Sequence, residues 1–498
     1  MATSVVGRTA IGAGWLVAWR MVSRALGLVS TLILARLLLP ADFGLIAMAL
    51  ALTGAVSYLS AIGVTDALIR RPDTGETWFD TAFGFQAYRG LLNGAIIAAA
   101  AIPAMRWFAE PRLGPILYVL AATAVLGGFE NVGIVQYRRD IRFDVEFRLL
   151  FIPRLLSFFA TIGMAILLAD YRAILFGAVL FSVARFIMSY RLHPWRPNLR
   201  AAIRVEHWRG LLGFSAWTWV AGLGSLVWER CDAFILGPAL GTSQLGRYLF
   251  AAEIASLPVT EIVGPTMAAV YSGISSARAQ GTNVAAIAPT LILTLLTLTA
   301  PITIGLSATS GYLVTGLLGP QWQEVRPMIA TFCWIGVLSP IAWTCNTVLT
   351  SQGLVRRGFF AIAGASAIRV VVMALLVQAG MTAYAPAAAV ATTAAEALLF
   401  LAQIPLRHDP AWRSHLLGLG RLLIAGIVTT AAFHESGYAW QPIDLPPIPA
   451  LFIGGALGLA GIVLFLATQT ALWGALGRPD GAERHILTML RARRITVT

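Results

Sequence analysis

The 498-residue sequence contains no lysine, and all 36 of its basic residues are arginine. A phosphate-binding loop of the GxxxxGK[ST] type and a lysine Schiff base are therefore excluded. Cys231, Cys333 and Cys345 lie in apolar segments without paired spacing, so neither a disulfide framework nor a zinc site is indicated. The six histidines form no HExxH-like cluster. We expect no metal and no cofactor, and any energy source must be an ion gradient, a partner protein or the substrate gradient.

Charged residues are also scarce, at 12%, whereas 58% of the residues are hydrophobic, which lies outside the range of soluble globular proteins. The chain divides into about fourteen apolar stretches of about 20 residues, each long enough to cross a hydrocarbon core of about 30 Å. The predicted spans are 15–39, 43–65, 85–108, 113–135, 147–169, 173–192, 211–237, 245–270, 285–308, 326–350, 358–380, 383–405, 415–434 and 448–473. The sequence therefore predicts an all-α integral membrane protein.

Arginine is distributed very unequally between the two sides of these spans. Twenty arginines lie in the termini and in the connections after every second span, and only Arg112 and Arg172 lie in the other connections. Positive charge is retained on the cytoplasmic side, so we expect both termini to be cytoplasmic. The net charge of +13 then reflects topology and anionic headgroups rather than nucleic acid. No signal-peptide cleavage site is recognisable, so we expect the first span to be uncleaved.

The chain repeats itself. Residues Leu38 to Gly44 match Leu240 to Gly246, and Gln136 and Phe143 match Gln352 and Phe359 in the same order. These matches predict two six-helix lobes of the same orientation, followed by two further helices, as in secondary transporters built from repeats. The predicted regions are an N-terminal lobe (1–192), a linker (193–210), a C-terminal lobe (211–405), spans 13 and 14 (406–473) and a basic cytoplasmic tail (474–498). The linker is read as an amphipathic helix on the inner leaflet, with a solvated linker as the alternative.

Three motifs are similar to those of one transporter family. The run LARLLLPADFG (Leu34 to Gly44), the LIRRP at Leu68 with the TAF at Thr81, and VQYRRDIRF (Val135 to Phe143) occur in the family's order. The chain resembles the Wzx-type polysaccharide flippases, the colanic-acid-transporter-like branch of the multidrug/oligosaccharidyl-lipid/polysaccharide exporter superfamily. The resemblance implies a V-shaped pair of lobes. These would move polyprenyl-pyrophosphate-linked oligosaccharide to the outer leaflet by alternating access, for exopolysaccharide, capsule or O-antigen synthesis.

Arginines within the predicted spans are the candidate substrate ligands. An arginine at mid-bilayer costs about 3 kcal/mol, so it should face a cavity or a partner. Arg20 and Arg24 lie one turn apart on the first span, and Arg185 and Arg369 lie deep in the sixth and eleventh spans. We predict that these four cations bind the pyrophosphate, for which the planar guanidinium is suited. The alternatives are snorkelling to the interface for Arg20 and Arg24, and buried ion pairs for Arg185 and Arg369.

Acidic residues in the spans are candidates for ion coupling. Glu253 and Glu261 lie two turns apart on the eighth span, and Glu130 lies at the end of the fourth. They could bind a proton or a sodium ion, or pair with nearby arginines. Besides the lipid-linked oligosaccharide and membrane lipids, polymerase or export proteins are possible partners.

Two other functions stay open. A drug or organic-cation antiporter of the same superfamily would use carboxylates in its cavity, and the sequence has both charges. A membrane polymerase or ligase of lipid-linked glycans is less favoured, because every predicted external connection is shorter than about 20 residues and no catalytic constellation is recognisable. We therefore predict a transporter, not an enzyme.

Overall fold

The computed structural model describes residues 5–60, 76–140, 142–198, 216–267, 270, 287–404, 412–441, 443–479 and 483–484. Within these residues all regular secondary structure is helical. Eleven described helices are long and apolar enough to cross a membrane, and one bent pair brings the number to twelve. The predicted all-α membrane architecture is confirmed, whereas the count of fourteen spans, the region boundaries and the amphipathic linker, mostly outside the described residues, stay predictions.

The described chain forms two compact units. The first comprises residues up to Leu226 together with Leu240–Gly246. Its helices are α1 (Val5–Leu37), α2 (Pro40–Leu59), α3 (Glu76–Trp107), α4 (Leu113–Gly128), α5 (Val135–Arg139), α6 (Phe143–Leu168), α7 (Arg172–Leu192) and parts of α8 (Ala216–Pro258). Within this unit α1 packs against α6, α3 against α4, and α6 against α7.

The start of α2 is specified by its own residues. Pro40 occupies the first turn, where its missing N–H removes no intrahelical hydrogen bond. Asp42 accepts a hydrogen bond of 3.0 Å from the backbone N–H of Leu39. Its carboxylate lies at the positive end of the helix dipole, which favours negative charge there. These residues therefore begin α2 at Pro40, three residues before the predicted span 43–65.

Matched glycines of the repeat contact each other in the first unit. A Cβ on Gly44 would collide with the backbone of Thr242, and a Cβ on Gly246 would collide with the carbonyl of Pro40. Gly44 and Gly246 are equivalent positions of the repeated motif. The two copies of the motif thus pack backbone to backbone at positions that admit no side chain, as small residues allow at membrane helix crossings.

The fourth predicted span is bent rather than continuous. α4 ends at Gly128, and a turn leads into Val132–Arg139 at an angle of 62°. Asn131 stabilises the turn, because its Oδ1 accepts from the backbone N–H of Gly133 (2.9 Å) and its Nδ2 donates to the carbonyl of Trp195 (2.9 Å). The backbone N–H of Asn131 donates to Ser189 Oγ on α7 (3.0 Å). Backbone N–H groups at the bend, which have no partner within α4, therefore find hydrogen-bond acceptors in the side chains of Asn131 and Ser189.

Residues of the seventh and eighth predicted spans form α8, which consists of two helices separated by a kink at Gly241. Gly241 has φ of 69° and ψ of 177°, a conformation open to glycine and strained for other residues. α8 is not among the described helices that qualify as candidate membrane spans. It carries Glu229, Arg230, Asp232, Arg247 and Glu253.

The second unit comprises Val227–Ala239 and the chain from Arg247 onward. After α8, its helices are α9 (Ala288–Ala308), α10 (Ser310–Leu313), α11 (Val325–Phe332), α12 (Ile335–Ser351), α13 (Val355–Gln378), α14 (Ala385–Leu401), α15 (Trp412–Ser436) and α16 (Pro447–Ala475). α9 packs against α12, α15 and α16. Leu293 and Ile304 of α9 meet Leu422 and Phe433 of α15 and Phe465 of α16 in one buried cluster.

α16 shows the residue distribution of a lipid-facing helix. Its exposed side chains include Phe452 and Val463, whereas Gly454 and Gly461 are buried against the bundle. A Cβ on Gly454 would collide with Tyr312, and one on Gly461 would collide with Phe433. Apolar side chains on the outside and small residues at helix contacts are expected where the solvent is hydrocarbon.

Candidate functional site

Three arginines lie on α1 and α6, two helices that pack against each other in the first unit. Nη2 of Arg154, on α6, lies 3.4 Å from the position that a Cβ would take at Gly27 on α1. Arg24 lies one turn before Gly27, and Arg20 one turn before Arg24. Arg154 is half-buried, and Arg20 and Arg24 are exposed. The structure thus adds Arg154 to the two arginines predicted on the first span. We call Arg20, Arg24 and Arg154 the α1–α6 arginine face.

Aromatic contacts align α1 with α6 just before this face. The ring of Phe147 lies 5.0 Å from that of Trp15 and 6.4 Å from that of Trp19. Phe147 also stacks on Phe151, at 5.1 Å. Contacts advance along both helices in the same direction, from Trp15 and Phe147 to Gly27 and Arg154, so the two helices run parallel.

The chemistry of the α1–α6 arginine face suits a multivalent oxyanion. Neither Arg20 nor Arg154 makes an ion pair within the part of the chain that the structure describes. Each guanidinium presents several N–H donors in a plane, which match the oxygens of a phosphate better than a point charge does.

Arg185 and Glu130, predicted separately as a cavity cation and a coupling acid, form an ion pair. Arg185 Nη2 on α7 lies 3.0 Å from Glu130 Oε2, in the turn that follows α4. Gln86 Nε2 donates to the carbonyl of Glu130 (3.3 Å), and Tyr190 Oη donates to the carbonyl of Phe129 (2.9 Å). The pair therefore lies beside the bend, where it also links α7 to α4.

Arg369, the fourth predicted cation, makes a bidentate ion pair in the second unit. Its Nε and Nη2 donate to the two carboxylate oxygens of Asp232 on α8, at 2.9 and 2.6 Å. Tyr248 Oη donates to the same carboxylate (2.7 Å), and the guanidinium lies 4.6 Å from the ring centroid of Trp228. Asp232 and Arg369 are both buried. Arg369 therefore forms a buried ion pair, which is the alternative to substrate binding given for it above.

Glu396 on α14 is a second acid beside this pair. It is 7% exposed and makes no hydrogen bond or ion pair within the described residues. The charge that acts on it is that of Arg369. An ionised carboxylate buried without a hydrogen-bond donor carries a large desolvation cost. We call Asp232, Arg369 and Glu396 the second-unit charge cluster. Within the described residues it contains the ion pair of Arg369 with Asp232 and one further acid, Glu396, that makes no ion pair.

Glu253 and Glu261 are exposed rather than buried. Glu253 lies on α8, and Glu261 lies in the π-helical turn Val259–Val263 that follows Pro258. The hydroxyl of Thr260 donates to Glu261 Oε1 at 3.4 Å. The structure does not bring either residue into the second-unit charge cluster. Among the described residues, no group of three histidine, cysteine, aspartate or glutamate side chains is arranged to hold a metal ion.

Comparison with known proteins identifies the family. Residues 33–327 match the model of the family described as polysaccharide biosynthesis protein, and the chain belongs to this family. Over 376 residues it is 19% identical to the lipopolysaccharide biosynthesis protein WzxC of Escherichia coli K12, which covers 71% of this chain and 72% of WzxC. It is 20% identical to the teichuronic acid biosynthesis protein TuaB of Bacillus subtilis over 60% of this chain and 62% of TuaB. It is also 22% identical to the succinoglycan biosynthesis transport protein ExoT of Rhizobium meliloti, over 68% of this chain and 67% of ExoT.

Solved structures agree on the fold. The lipid II flippase MurJ in an inward closed conformation superposes with a TM-score of 0.71, at 14% identity, over 93% of this chain and 99% of MurJ. An inward-facing multidrug resistance MATE transporter of the MOP superfamily superposes with a TM-score of 0.57, at 15% identity, over 83% of this chain and 96% of the transporter. The resemblance drawn from the sequence motifs is confirmed.

Proposed function

We propose that the protein is a flippase that moves oligosaccharides linked to polyprenyl pyrophosphate across the inner membrane, for the synthesis of an exopolysaccharide, capsule or O-antigen. Membership of the polysaccharide biosynthesis family, over residues 33–327, is the observation that carries this proposal. ExoT is named as a transport protein and MurJ as a flippase, so the relatives favour transport over catalysis. The arginine distribution supports cytoplasmic termini.

The α1–α6 arginine face is the proposed contact for the pyrophosphate. A sugar headgroup cannot enter hydrocarbon without losing hydrogen bonds worth several kcal/mol for each unsatisfied group, so the protein must offer a polar path. A pyrophosphate carries more than one negative charge, and Arg154 on α6 approaches Gly27 of α1, one turn after Arg24. We propose that these two guanidiniums bind the pyrophosphate and that Arg20 assists. Arg185 and Arg369, each engaged by an acid, are proposed to act through those acids.

Glycan export in cells that lack the endogenous gene tests this assignment. Arg24→Ala and Arg154→Ala should each abolish export while the protein still inserts at its normal level. Lysine at either position should restore little, because the ammonium group lacks the planar donor pair. Arg112→Ala is the matched control, since Arg112 pairs with Glu110 outside the spans. Normal export by both alanine variants would remove the α1–α6 arginine face from the mechanism.

Transport also needs an energy source, and we propose that a proton supplies it through the second-unit charge cluster. Arg369 pairs with Asp232, its charge also acts on Glu396, and a proton on Glu396 removes the surplus negative charge. Loss of that proton would draw the guanidinium away from Asp232, which gives the unit two discrete arrangements. Asp232, Tyr248, Cys231 and Arg369 are the titratable groups that face one another here.

Replacement of Glu396 by glutamine tests the coupling. Glu396→Gln should give export that no longer responds to an imposed proton gradient, whereas the wild type responds. Glu130→Gln, Glu253→Gln and Glu261→Gln test the acids predicted from the sequence. If one of these abolishes the response and Glu396→Gln retains it, the coupling site lies at that residue instead. A sodium-dependent, proton-independent response would assign the other ion.

An organic-cation antiporter of the same superfamily is the second candidate, favoured by the fold shared with the MATE transporter. Cations on α1 and α6 would repel an organic cation, so this candidate is the weaker one. Binding to purified protein separates the two. Preference for a polyprenyl pyrophosphate over cationic dyes supports the flippase, and the reverse preference contradicts it.

A further inference from the structure

A buried polar network lies between α9, α15 and α16 in the second unit, apart from the two clusters above. Arg421 on α15 donates through Nε and Nη2 to the two carboxylate oxygens of Glu483, each at 3.0 Å. Gln469 Nε2 on α16 donates to Glu483 Oε1 (3.3 Å) and to Thr297 Oγ1 on α9 (3.0 Å). Arg421 is 2% exposed and Glu483 is 7% exposed.

Glu483 comes from the tail beyond α16, and it reaches this network because the chain reverses there. Gly477 and Arg478 adopt positive φ values of 79° and 57°, which end the helix and turn the backbone. The indole N–H of Trp473 donates to the carbonyl of Pro479 (2.9 Å), so the chain after the turn runs back beside α16. Glu483 thereby contacts Gln469, fourteen residues earlier in sequence.

The network is built to hold a negatively charged group. The guanidinium of Arg421 has its fork aligned with both carboxylate oxygens, which is the geometry of bidentate oxyanion recognition. Its remaining Nη1 and the Oε1 of Gln469 are buried with no hydrogen-bond partner in the described part of the chain. A guanidinium buried among apolar helices is costly unless an anion accompanies it. Without Glu483, the charge of Arg421 would be left uncompensated.

We infer that Arg421 and Gln469 form a buried oxyanion site, in which the hydroxyl of Thr297 orients the amide of Gln469, and that the tail carboxylate of Glu483 is the ligand that fills it. Glu483 then acts as a strap that joins the tail to α15 and α16 and, through Gln469, to α9. The inference is independent of transport, because it concerns a carboxylate of this chain and is tested without substrate.

Chemical rescue of the purified full-length protein tests the site. Glu483→Ala should lower the melting temperature in detergent, and sodium acetate should restore it, whereas sodium chloride at equal ionic strength should not. The double variant Glu483→Ala with Arg421→Leu should melt above the single variant and ignore acetate. Glu435→Ala is the matched control, because the Glu435 side chain is 87% exposed. Equal acetate responses in all variants would show an adventitious salt effect only and would overturn the inference.

Tryptic cleavage after Arg484 gives a second readout. Release of the strap should speed this cleavage on the order of a hundredfold in Glu483→Ala, since cleavage follows the population of the opened form. The rate in Glu435→Ala should match the wild type. If Glu483→Ala does not accumulate in membranes, the double variant should accumulate, because the uncompensated charge is gone. Unchanged cleavage, or a double variant no better than the single one, would overturn the inference.

Discussion

The ion pair between Arg369 and Asp232 allows the sharpest stability prediction. Arg369 is 8% exposed, and its guanidinium is held by two hydrogen bonds to Asp232 and by the ring of Trp228. Asp232→Ala removes the ion-pair partner of this guanidinium and both of its hydrogen bonds, and it leaves the hydroxyl of Tyr248 without its acceptor. Removal of one partner of a buried pair costs about 3–5 kcal/mol, whereas replacement of both by apolar residues is close to neutral.

The assay therefore compares a variant that loses one partner of the pair with a variant in which both partners are apolar. A loss of that size should lower the melting temperature on the order of 10 °C for a unit of about 250 residues. The double variant Asp232→Leu with Arg369→Met should melt much closer to the wild type than Asp232→Ala does. Both would be measured as the fraction of monodisperse protein left after heating in detergent. A single variant as stable as the wild type, or a double variant no better than the single one, would refute the buried-charge reasoning.

Further predictions concern helix packing and pH. Gly44→Ala and Gly246→Ala should each reduce the amount of folded protein, because the new methyl group would collide with backbone atoms. Gly163→Ala should not, because no atom of a neighbouring element lies within 4 Å of the new methyl group. The amount of protein in membranes and its melting temperature are the measurements. Burial, and secondarily the charge of Arg196, lowers the pKa of His193 below its usual range, so the unfolded chain takes up the proton first. Stability should therefore fall as the pH drops below about 6.5, and His193→Gln should flatten that part of the melting-temperature profile against pH.

Helices were the predictable part of this protein. Spans such as 147–169 and 173–192 correspond closely to α6 (Phe143–Leu168) and α7 (Arg172–Leu192), because hydrocarbon thickness fixes the length of an apolar run. The bend after α4 was not predicted, although Gly128 and the capping residue Asn131 mark it in the sequence. An apolar run tolerates such a break only where other helices satisfy the freed backbone, and hydropathy does not report those helices.

Charge pairing was the part that a single sequence does not determine. The sequence singled out Arg369, but its partner Asp232 lies 137 residues away. Arg421, inside the predicted span 415–434, and its partner Glu483 were missed altogether. The approach of Arg154 to Gly27 depends on the packing of α6 against α1, which the sequence does not specify. Each of these contacts depends on which helices are neighbours, and the sequence of a single chain carries no direct signal for helix neighbours.

Transport in reconstituted vesicles tests the central claim most directly. Purified protein would be placed in liposomes with a fluorescent oligosaccharide on polyprenyl pyrophosphate, and its arrival in the opposite leaflet followed with a reagent that reaches one leaflet only. Wild-type vesicles should move the lipid faster than empty vesicles, and vesicles with Arg24→Ala and Arg154→Ala combined should not. Wild-type vesicles that move the lipid no faster than empty ones would contradict the account.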